Sequence, residues 1–249
     1  MENKNLSSVL DSTSAPFMTG LAQSCGAALG YVDHGVRPSL PNYIAATSGD
    51  TQGIHDDAAP SAHALQADNI FRQVRAVGKT AKSYQESMPS NCALQSIARY
   101  AVKHNPAAYY VAADDRAACM RDDVAFTQFM PDLEGSLPAF AFITPDLCND
   151  MHDCPVSTGD AWLRNVVAAI TSSATYREGR TALFVVFDES GGGGTIPFIA
   201  VAPPIVPGTR SSAALDHFSL LAFTEAALGI TSRLGQAGGA TSLADAFGL

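Results

Sequence analysis

Two adjacent carboxylates, Asp188 and Glu189, follow an apolar run that starts at Ala182, and four glycines come directly after Ser190. Two carboxylates in a partly buried place repel each other unless a cation lies between them, and hard divalent metals are the usual partner. The pair therefore predicts half of a metal site. The alternative is a strand that ends in a solvated acidic turn, and the pair alone does not decide between the two.

A short segment between two cysteines carries the next candidate ligands. Asp150 and His152 are two residues apart and lie between Cys148 and Cys154. A carboxylate and an imidazole together suit zinc, manganese or iron. His217 is a further candidate, although a lone histidine is more often a packed or surface residue than a ligand.

Ser39 is the natural candidate for a nucleophile. It lies between Pro38 and Pro41, in a turn before a predicted helix whose N-terminal amides can hold an anion. A serine hydroxyl is a weak nucleophile at neutral pH, and coordination to a divalent cation is one way to generate the alkoxide. Asn42 can donate its amide to a phosphoryl oxygen. A purely structural turn with two prolines is the alternative.

Strands and helices must position these groups. The Val- and Phe-rich run 182–187 is typical of a strand buried on both faces of a parallel sheet, and 140–144 predicts a second buried strand. In open α/β sheets ligands bind beyond the carboxyl ends of the strands, where residues 188–189 and 145–154 would lie. Alternating strands and helices predict an α/β fold with a central, mostly parallel sheet and helices on both faces. Helices are predicted at 14–25, 44–48, 69–77, 94–103, 160–170 and 220–228.

Composition limits the function further. A chain of 249 residues with 47% hydrophobic residues predicts one domain that covers residues 1–249. The net charge of −9 argues against nucleic acid or an anionic membrane as the main partner, and a phosphate-bearing substrate would need a metal to offset the repulsion. No apolar stretch reaches the roughly 18 residues of a transmembrane helix.

The five cysteines are an odd number. Cys148 with Cys154, and Cys92 with Cys119, are candidate disulfides, a pattern typical of an oxidising compartment. The start of the chain carries no export signal, so we expect that its first residues were lost or trimmed.

Several short motifs follow one another along nearly the whole chain. They are Glu2-Asn-Lys-Asn5, Ala15-Pro16, Pro38-Ser-Leu-Pro-Asn-Tyr43 with Thr47-Ser-Gly49, Asn69-Ile-Phe71, Glu86-Ser-Met-Pro89, Lys103-His-Asn-Pro106, Asn149-Asp-Met-His-Asp153 with Gly159-Asp-Ala-Trp-Leu163, Asp188-Glu189, and His217 before Ser219-Leu-Leu221. In this order they resemble the bacterial phosphoesterase family, which includes secreted acid phosphatases, phosphatidylinositol 3-phosphatase and phospholipase C. That family lies within the alkaline phosphatase superfamily.

The resemblance implies an alkaline-phosphatase-like fold and hydrolysis of a phosphate ester through a phosphoserine intermediate. Ser39, His152 and His217 would be catalytic, and Arg37, Asn42 and His104 would contact the substrate. One or two divalent ions, with Zn, Mn, Fe, Mg and Ca all open, would be held by Glu2, Asn3, Ser39, Asp150, His152, Asp188, Glu189 and His217. The leading interpretation is an acid-phosphatase-type phosphomonoesterase, secreted or periplasmic. A phospholipase C-like phosphodiesterase and an inactive relative that acts as a binding protein are the alternatives.

Two departures from the family pattern accompany the resemblance. Arg37 stands where relatives usually have histidine; arginine can clamp a phosphate but cannot ligate a metal. Relatives have an apolar strand before Glu2, so the first strand of the sheet is expected to be missing and Glu2 is expected at a fraying terminus. We therefore expect weak metal binding and slow turnover.

Overall fold

The computed structural model describes residues 1–33 and 35–249 and contains both helices and strands. The helices are α1 (Leu6–Val9), α2 (Pro16–Ser24), α3 (Ser39–Ser48), α4 (Ile70–Ala76), α5 (Asp115–Asp122), α6 (Phe129–Glu134), α7 (Val156–Ser172), α8 (Ala174–Arg177), α9 (His217–Ala227) and α10 (Leu243–Phe247). The strands are β1 (Gly26–Ala28), β2 (Ala81–Gln85), β3 (Asp123–Ala125), β4 (Phe140–Thr144), β5 (Leu183–Val186), β6 (Phe198–Val201) and β7 (Thr209–Ser211). Short 3-10 helices occur at Val102–His104, Pro106–Ala108, Phe126–Gln128 and Gly235–Gly239.

The chain forms two compact units. The first unit contains Met1–Gly35, Cys148–Asp216 and Thr241–Leu249. Its sheet has the strand order β5-β6-β1-β7, in which β6 is antiparallel to both of its neighbours and β1 is parallel to β7. The inner strands β1 and β6 are buried along their whole length. The expectation that residues 1–249 form one domain stays a prediction.

The second unit contains Val36–Leu147 and His217–Ala240. Its sheet has the order β3-β2-β4, and both strand pairs are parallel. Its core packs apolar side chains from the helices and from the segments after β2, among them Leu40, Ile44, Ile70, Val74, Tyr109, Tyr110 and Leu221. Helix α3 therefore lies in the interior, with nine of its ten residues buried.

The predicted α/β class is confirmed, and β4 has the bounds that the sequence predicts. The environment of β5 differs from the prediction. It lies at the edge of its sheet, pairs with β6 in the antiparallel direction, and only Val185 is fully buried. A Val- and Phe-rich run indicates a strand but does not specify the direction of its partner, which explains the difference.

The helix predicted at 94–103 is wrong. Only Val102–His104 is helical, as a 3-10 turn. Ile97 and Tyr100 exchange two backbone hydrogen bonds of 3.1 and 3.0 Å, and Ala98 between them has a left-handed φ of 52°. The apolar residues there line a tight turn rather than one helical face.

Asp160 caps a neighbouring helix rather than its own. Because α7 already begins at Val156, Asp160 lies inside it and its carboxylate accepts hydrogen bonds from the amides of Phe17 and Met18, at 3.0 and 2.8 Å. These amides belong to the first turn of α2, which has no internal acceptors.

Both predicted disulfides are confirmed. Cys92 pairs with Cys119 in the second unit, and Cys148 pairs with Cys154 in the first. Cys25 is outside the disulfides. Among the described residues, every helix is too short or too polar to cross a bilayer.

Candidate active site

The first residues of the chain lie beside the end of β5. The Met1 ammonium donates to the carbonyl of Val186 at 3.1 Å, and the amide of Asp188 donates to the carbonyl of Met1 at 3.0 Å. The amide of Asn3 then donates to Asp188 Oδ1 at 3.1 Å. Glu2 is fully buried, so the expectation that it lies at a fraying terminus is wrong. Backbone pairing with β5 and its extension holds this segment in place.

The Cys148–Cys154 loop presents a second carboxylate to Glu2. The Glu2 amide donates to the carbonyl of Asp150 at 2.8 Å, and a carboxylate oxygen of each residue lies within 4.8 Å of one of the other. Asp150 is fully buried, and its Oδ1 accepts from the amide of His152 at 2.7 Å. Both carboxylates therefore lie in the interior of the first unit, close enough for one ion to bridge them.

Close backbone packing fixes the shape of this loop. Met151 has a left-handed φ of 78° and is fully buried. A Cβ on Gly159 would lie 2.6 Å from the carbonyl oxygen of Asn149 and 2.6 Å from the side chain of Met151. Only glycine permits this approach, so the start of α7 and the Asp150 loop form one packed structure.

Asp33 holds the turn that follows Glu189. Asp33 Oδ2 accepts from the amide and from the hydroxyl of Ser190, at 2.8 and 3.0 Å. Asp188 and Glu189 are both buried at the end of β5. No local pattern in the sequence links Asp33 to its partner, which lies 157 residues away.

The donor set of the first unit fits a hard divalent cation. Glu2, Asp150, Asp188 and Glu189 are buried acids, and Asn3 Oδ1 is a buried acceptor without a hydrogen-bond partner among residues 1–33 and 35–249. Buried carboxylates are costly unless they are paired or bind a metal. Oxygen donors of this kind are those that Mg²⁺, Ca²⁺ and Mn²⁺ prefer.

His152 is less well placed than the carboxylates. Its side chain is 29% exposed, and its Nδ1 lies 2.6 Å from Asp153 Oδ1. Its predicted roles as a ligand and a proton donor stay predictions.

In the second unit, Ser39 is the first residue of α3, and Pro38 occupies the N-cap position. The helix begins earlier than predicted, so Ser39 lies within its first turn rather than before it. Gly49 ends the helix in the left-handed conformation, as its φ of 75° shows. Ser39 is 1% exposed.

Asn42 braces the turn in front of Ser39. Its Nδ2 donates to the carbonyl of Val36 at 2.9 Å and lies 3.5 Å from that of Pro38. Its Oδ1 is buried and has no hydrogen-bond partner in the described part of the chain. In this conformation the side-chain amide of Asn42 donates to a backbone carbonyl. Its predicted donation to a phosphoryl oxygen stays a prediction.

His104 is fixed against the same helix. Its ring stacks on that of Tyr43 in α3, with ring centres 5.2 Å apart and planes 16° apart. Its carbonyl accepts from the hydroxyl of Thr144 at 3.2 Å. His217 is the buried first residue of α9, whereas Arg37 is exposed. The roles predicted for these three residues stay predictions.

A buried acid, Asp123, supports the residue after His104. The side-chain amide of Asn105 donates from Nδ2 to Asp123 Oδ2 at 2.7 Å and to the Tyr100 hydroxyl at 3.0 Å. Burial raises the pKa of Asp123 to about 7, against the lowering effect of hydrogen bonds from Asn105 and Ser83. No motif in the sequence marks Asp123, because its contacts depend on burial.

Comparison with known proteins decides the family. Residues 6–231 match the sequence model of the phosphoesterase family. The chain belongs to the phosphoesterase family. The resemblance inferred from the ordered motifs is thereby confirmed, and with it the predicted enzyme class at family level, a hydrolase of phosphoric esters.

Individual relatives agree with this family. A phosphatidylinositol-3-phosphatase of Mycobacterium tuberculosis is 28% identical over 251 residues, which cover 99% of this chain and 80% of the relative. An acid phosphatase of Aspergillus fumigatus is 31% identical over 219 residues, or 78% of this chain, but 46% of that protein. The matched part is thus about half of the fungal enzyme's length.

A solved structure supports the fold. A protein in the alkaline phosphatase superfamily from Vibrio parahaemolyticus has a TM-score of 0.63 with this chain at 12% identity, covering 93% of this chain and 65% of that one. The predicted alkaline-phosphatase-like fold is confirmed.

Proposed function

We propose that this chain is a metal-dependent phosphomonoesterase of the acid-phosphatase type that acts through a phosphoserine intermediate. The observation that carries the proposal is the environment of Ser39, a buried serine at the first position of a ten-residue helix. Its motif matches the nucleophile of the family, and the first-turn amides of such a helix favour an anion. The mycobacterial and fungal relatives, named phosphatidylinositol-3-phosphatase and acid phosphatase, support the same class of reaction.

Ser39 releases its hydroxyl proton to solvent as its Oγ bonds to the phosphorus atom, and the bond from phosphorus to the alcohol oxygen breaks. The alcohol leaves with a proton, for which His217 and His152 are the proposed donors. A water molecule then hydrolyses the phosphoserine and releases inorganic phosphate. Arg37 and His104 bind the phosphoryl oxygens, and Asn42 keeps the turn before Ser39 in shape.

The proposed metal ligands of the first unit are Glu2, Asn3, Asp150, Asp188 and Glu189, and the ligand roles of Ser39, His152 and His217 stay predictions. A bound divalent ion supplies Lewis acidity that offsets the charge of the phosphate ester. This chain has a net charge of −9, so an anionic substrate needs such compensation. The two disulfides support a location outside the cytoplasm, secreted or periplasmic.

The proposal is tested with a nitrophenyl phosphate monoester and Mn²⁺ or Mg²⁺. We expect metal-supported hydrolysis by the unchanged chain and a loss of at least roughly 1000-fold in kcat for Ser39→Ala. Ser232→Ala is the matched control, because Ser232 is exposed and lies in the same unit.

Three other results would each point to a different conclusion. Full activity of Ser39→Ala would contradict the nucleophile assignment. Hydrolysis of a bis-nitrophenyl diester in place of the monoester would favour the phosphodiesterase alternative. Inactivity of the unchanged chain with every divalent metal would favour the binding-protein alternative.

A further inference from the structure

Asp57, in the loop that precedes α4, contacts two different segments of the second unit. Asp57 Oδ1 accepts from the amide of Leu40 at 3.0 Å, and Asp57 Oδ2 accepts from Lys103 Nζ at 2.8 Å. Leu40 directly follows Ser39, and Lys103 directly precedes His104. One side chain therefore connects the two segments that carry the proposed nucleophile and a proposed substrate contact.

The loop around Asp57 is itself held on both sides. Asp56 Oδ1 accepts from the amide of Ala58 at 2.9 Å and lies 2.6 Å from His63 Nε2. The carbonyl of Ala58 accepts from the hydroxyl of Tyr109 at 3.0 Å. These contacts fix the backbone next to Asp57, so its carboxylate has a defined position.

Asp57 and Lys103 are also partly shielded from solvent. Their side chains are 26% and 22% exposed. The carboxylate uses a first-turn amide of α3, and the ammonium group compensates its charge. Without Lys103, an uncompensated negative charge would remain beside the first turn of α3, where the proposed phosphate must bind, and like charges repel.

We propose that Asp57 and Lys103 are a positioning pair for the phosphoesterase reaction. Asp57 fixes the position of Ser39 relative to the His104 segment. Lys103 neutralises the negative charge of Asp57 so that an anionic substrate can bind. The proposal rests on the function proposed above. Small displacements of reacting groups are enough to slow an enzyme, since a shift of about 1 Å can cost roughly 100-fold in rate.

The kinetic test measures kcat and KM separately for hydrolysis of nitrophenyl phosphate with Mn²⁺. Asp57→Ala removes both contacts, and we expect kcat to fall roughly 10- to 100-fold. Asp57→Asn keeps an acceptor for the Leu40 amide, so its kcat should stay well above that of Asp57→Ala.

The charge role predicts a rescue. Lys103→Met should raise KM several-fold because the Asp57 carboxylate is then uncompensated. Adding Asp57→Asn to Lys103→Met should restore KM, although it removes a further charged group. A merely structural pair would show no such recovery.

Asp132→Ala is the matched control. Asp132 accepts from Lys82 Nζ at 2.6 Å and from the Tyr84 hydroxyl at 2.7 Å in the same unit, with side-chain exposures of 21% for Asp132 and 30% for Lys82. The Asp132→Ala substitution should lower the melting temperature without changing kcat or KM in the folded protein.

The outcomes separate the two proposals. An inactive unchanged chain would contradict the proposed function. An active chain whose folded Asp57→Ala and Lys103→Met variants behave like Asp132→Ala would overturn the positioning pair alone. If Asp57→Ala does not fold, an unchanged KM in Lys103→Met, or a raised KM that Asp57→Asn fails to restore, would overturn it as well.

Discussion

Acidic side chains make several of the long-range hydrogen bonds in each unit. Asp188 and Glu189 are recognisable in the sequence because they are adjacent and follow an apolar run. Asp33, Asp57 and Asp123 are not recognisable, because each acts on a partner that is distant in sequence, at Ser190, Leu40 and Asn105. Local patterns in the sequence predict residue types that are suited to a metal or catalytic site. Burial and hydrogen bonds to distant residues decide which acids hold the backbone around that site.

Replacing one buried carboxylate of the first unit should weaken metal binding. Asp150→Asn and Asp188→Asn each remove a charge from the oxygen donor set but nearly preserve its volume. We expect at least a roughly tenfold loss in Mn²⁺ affinity by titration calorimetry, since even outer-sphere changes cost 10- to 100-fold. Asp11→Asn, at an exposed position in the same unit, should leave the affinity unchanged. Equal affinity of all variants would contradict the ligand assignment.

Asp123 should make the free energy of unfolding depend on pH. Its pKa is raised from 3.8 to about 7 by burial, so the folded state binds a proton more tightly than the unfolded state between these values. Its contribution to stability is therefore most favourable below about pH 4 and is lost as the pH rises through about 7.

Urea unfolding at pH 5 and pH 8 measures this effect. Asp123→Asn should reduce the loss of stability between the two values, whereas Asp122→Asn, whose carboxylate pairs with the exposed Arg121, should not. An unchanged difference in Asp123→Asn would show that Asp123 is ionised in the folded protein throughout this range.

Among the elements, the best predicted are those whose pattern is purely local. The bounds of β4 and the left-handed end of α3 at Gly49 follow from an apolar run and from a glycine. The predicted helix at 94–103 fails because its apolar residues serve a turn, and the direction of β6 relative to β5 depends on contacts that no local pattern contains. The Asp150 loop could be predicted only in part, since the sequence indicates its disulfide but not its packing on Gly159.

Gly159→Ala should disturb the Asp150 loop. Its Cβ would lie 2.6 Å from the carbonyl oxygen of Asn149, so the loop or α7 must shift. We expect a loss of about 1–3 kcal/mol in the free energy of unfolding and weaker Mn²⁺ binding.

Gly20→Ala is the control, because Gly20 lies in α2 and an added Cβ would meet no atom within 4 Å. It should be neutral or stabilising by up to about 1 kcal/mol. Equal effects of the two substitutions would contradict the close packing at Gly159.

For the whole molecule, the proposed metal site predicts that a bound cation stabilises the fold. The net charge is −9, and the first unit buries Glu2, Asp150, Asp188 and Glu189. A cation that binds only the folded state stabilises it by about 2.7 kcal/mol at 100 times its dissociation constant.

Mn²⁺ should therefore raise the melting temperature, by about 2–4 °C per kcal/mol for a chain of this size. A chelator should reverse the shift, and Asp150→Asn should reduce it. A melting temperature that does not respond to Mn²⁺ or Mg²⁺ would contradict a metal site in the folded protein.

Phosphorylation of Ser39 during turnover can be detected by mass spectrometry of the acid-quenched protein. After mixing with nitrophenyl phosphate and Mn²⁺, we expect a phosphoryl group on the peptide that contains Ser39. The adduct should be absent in Ser39→Ala and present in Ser232→Ala. Turnover by the unchanged chain with a phosphoryl group on another residue, or continued turnover by Ser39→Ala, would contradict Ser39 as the nucleophile.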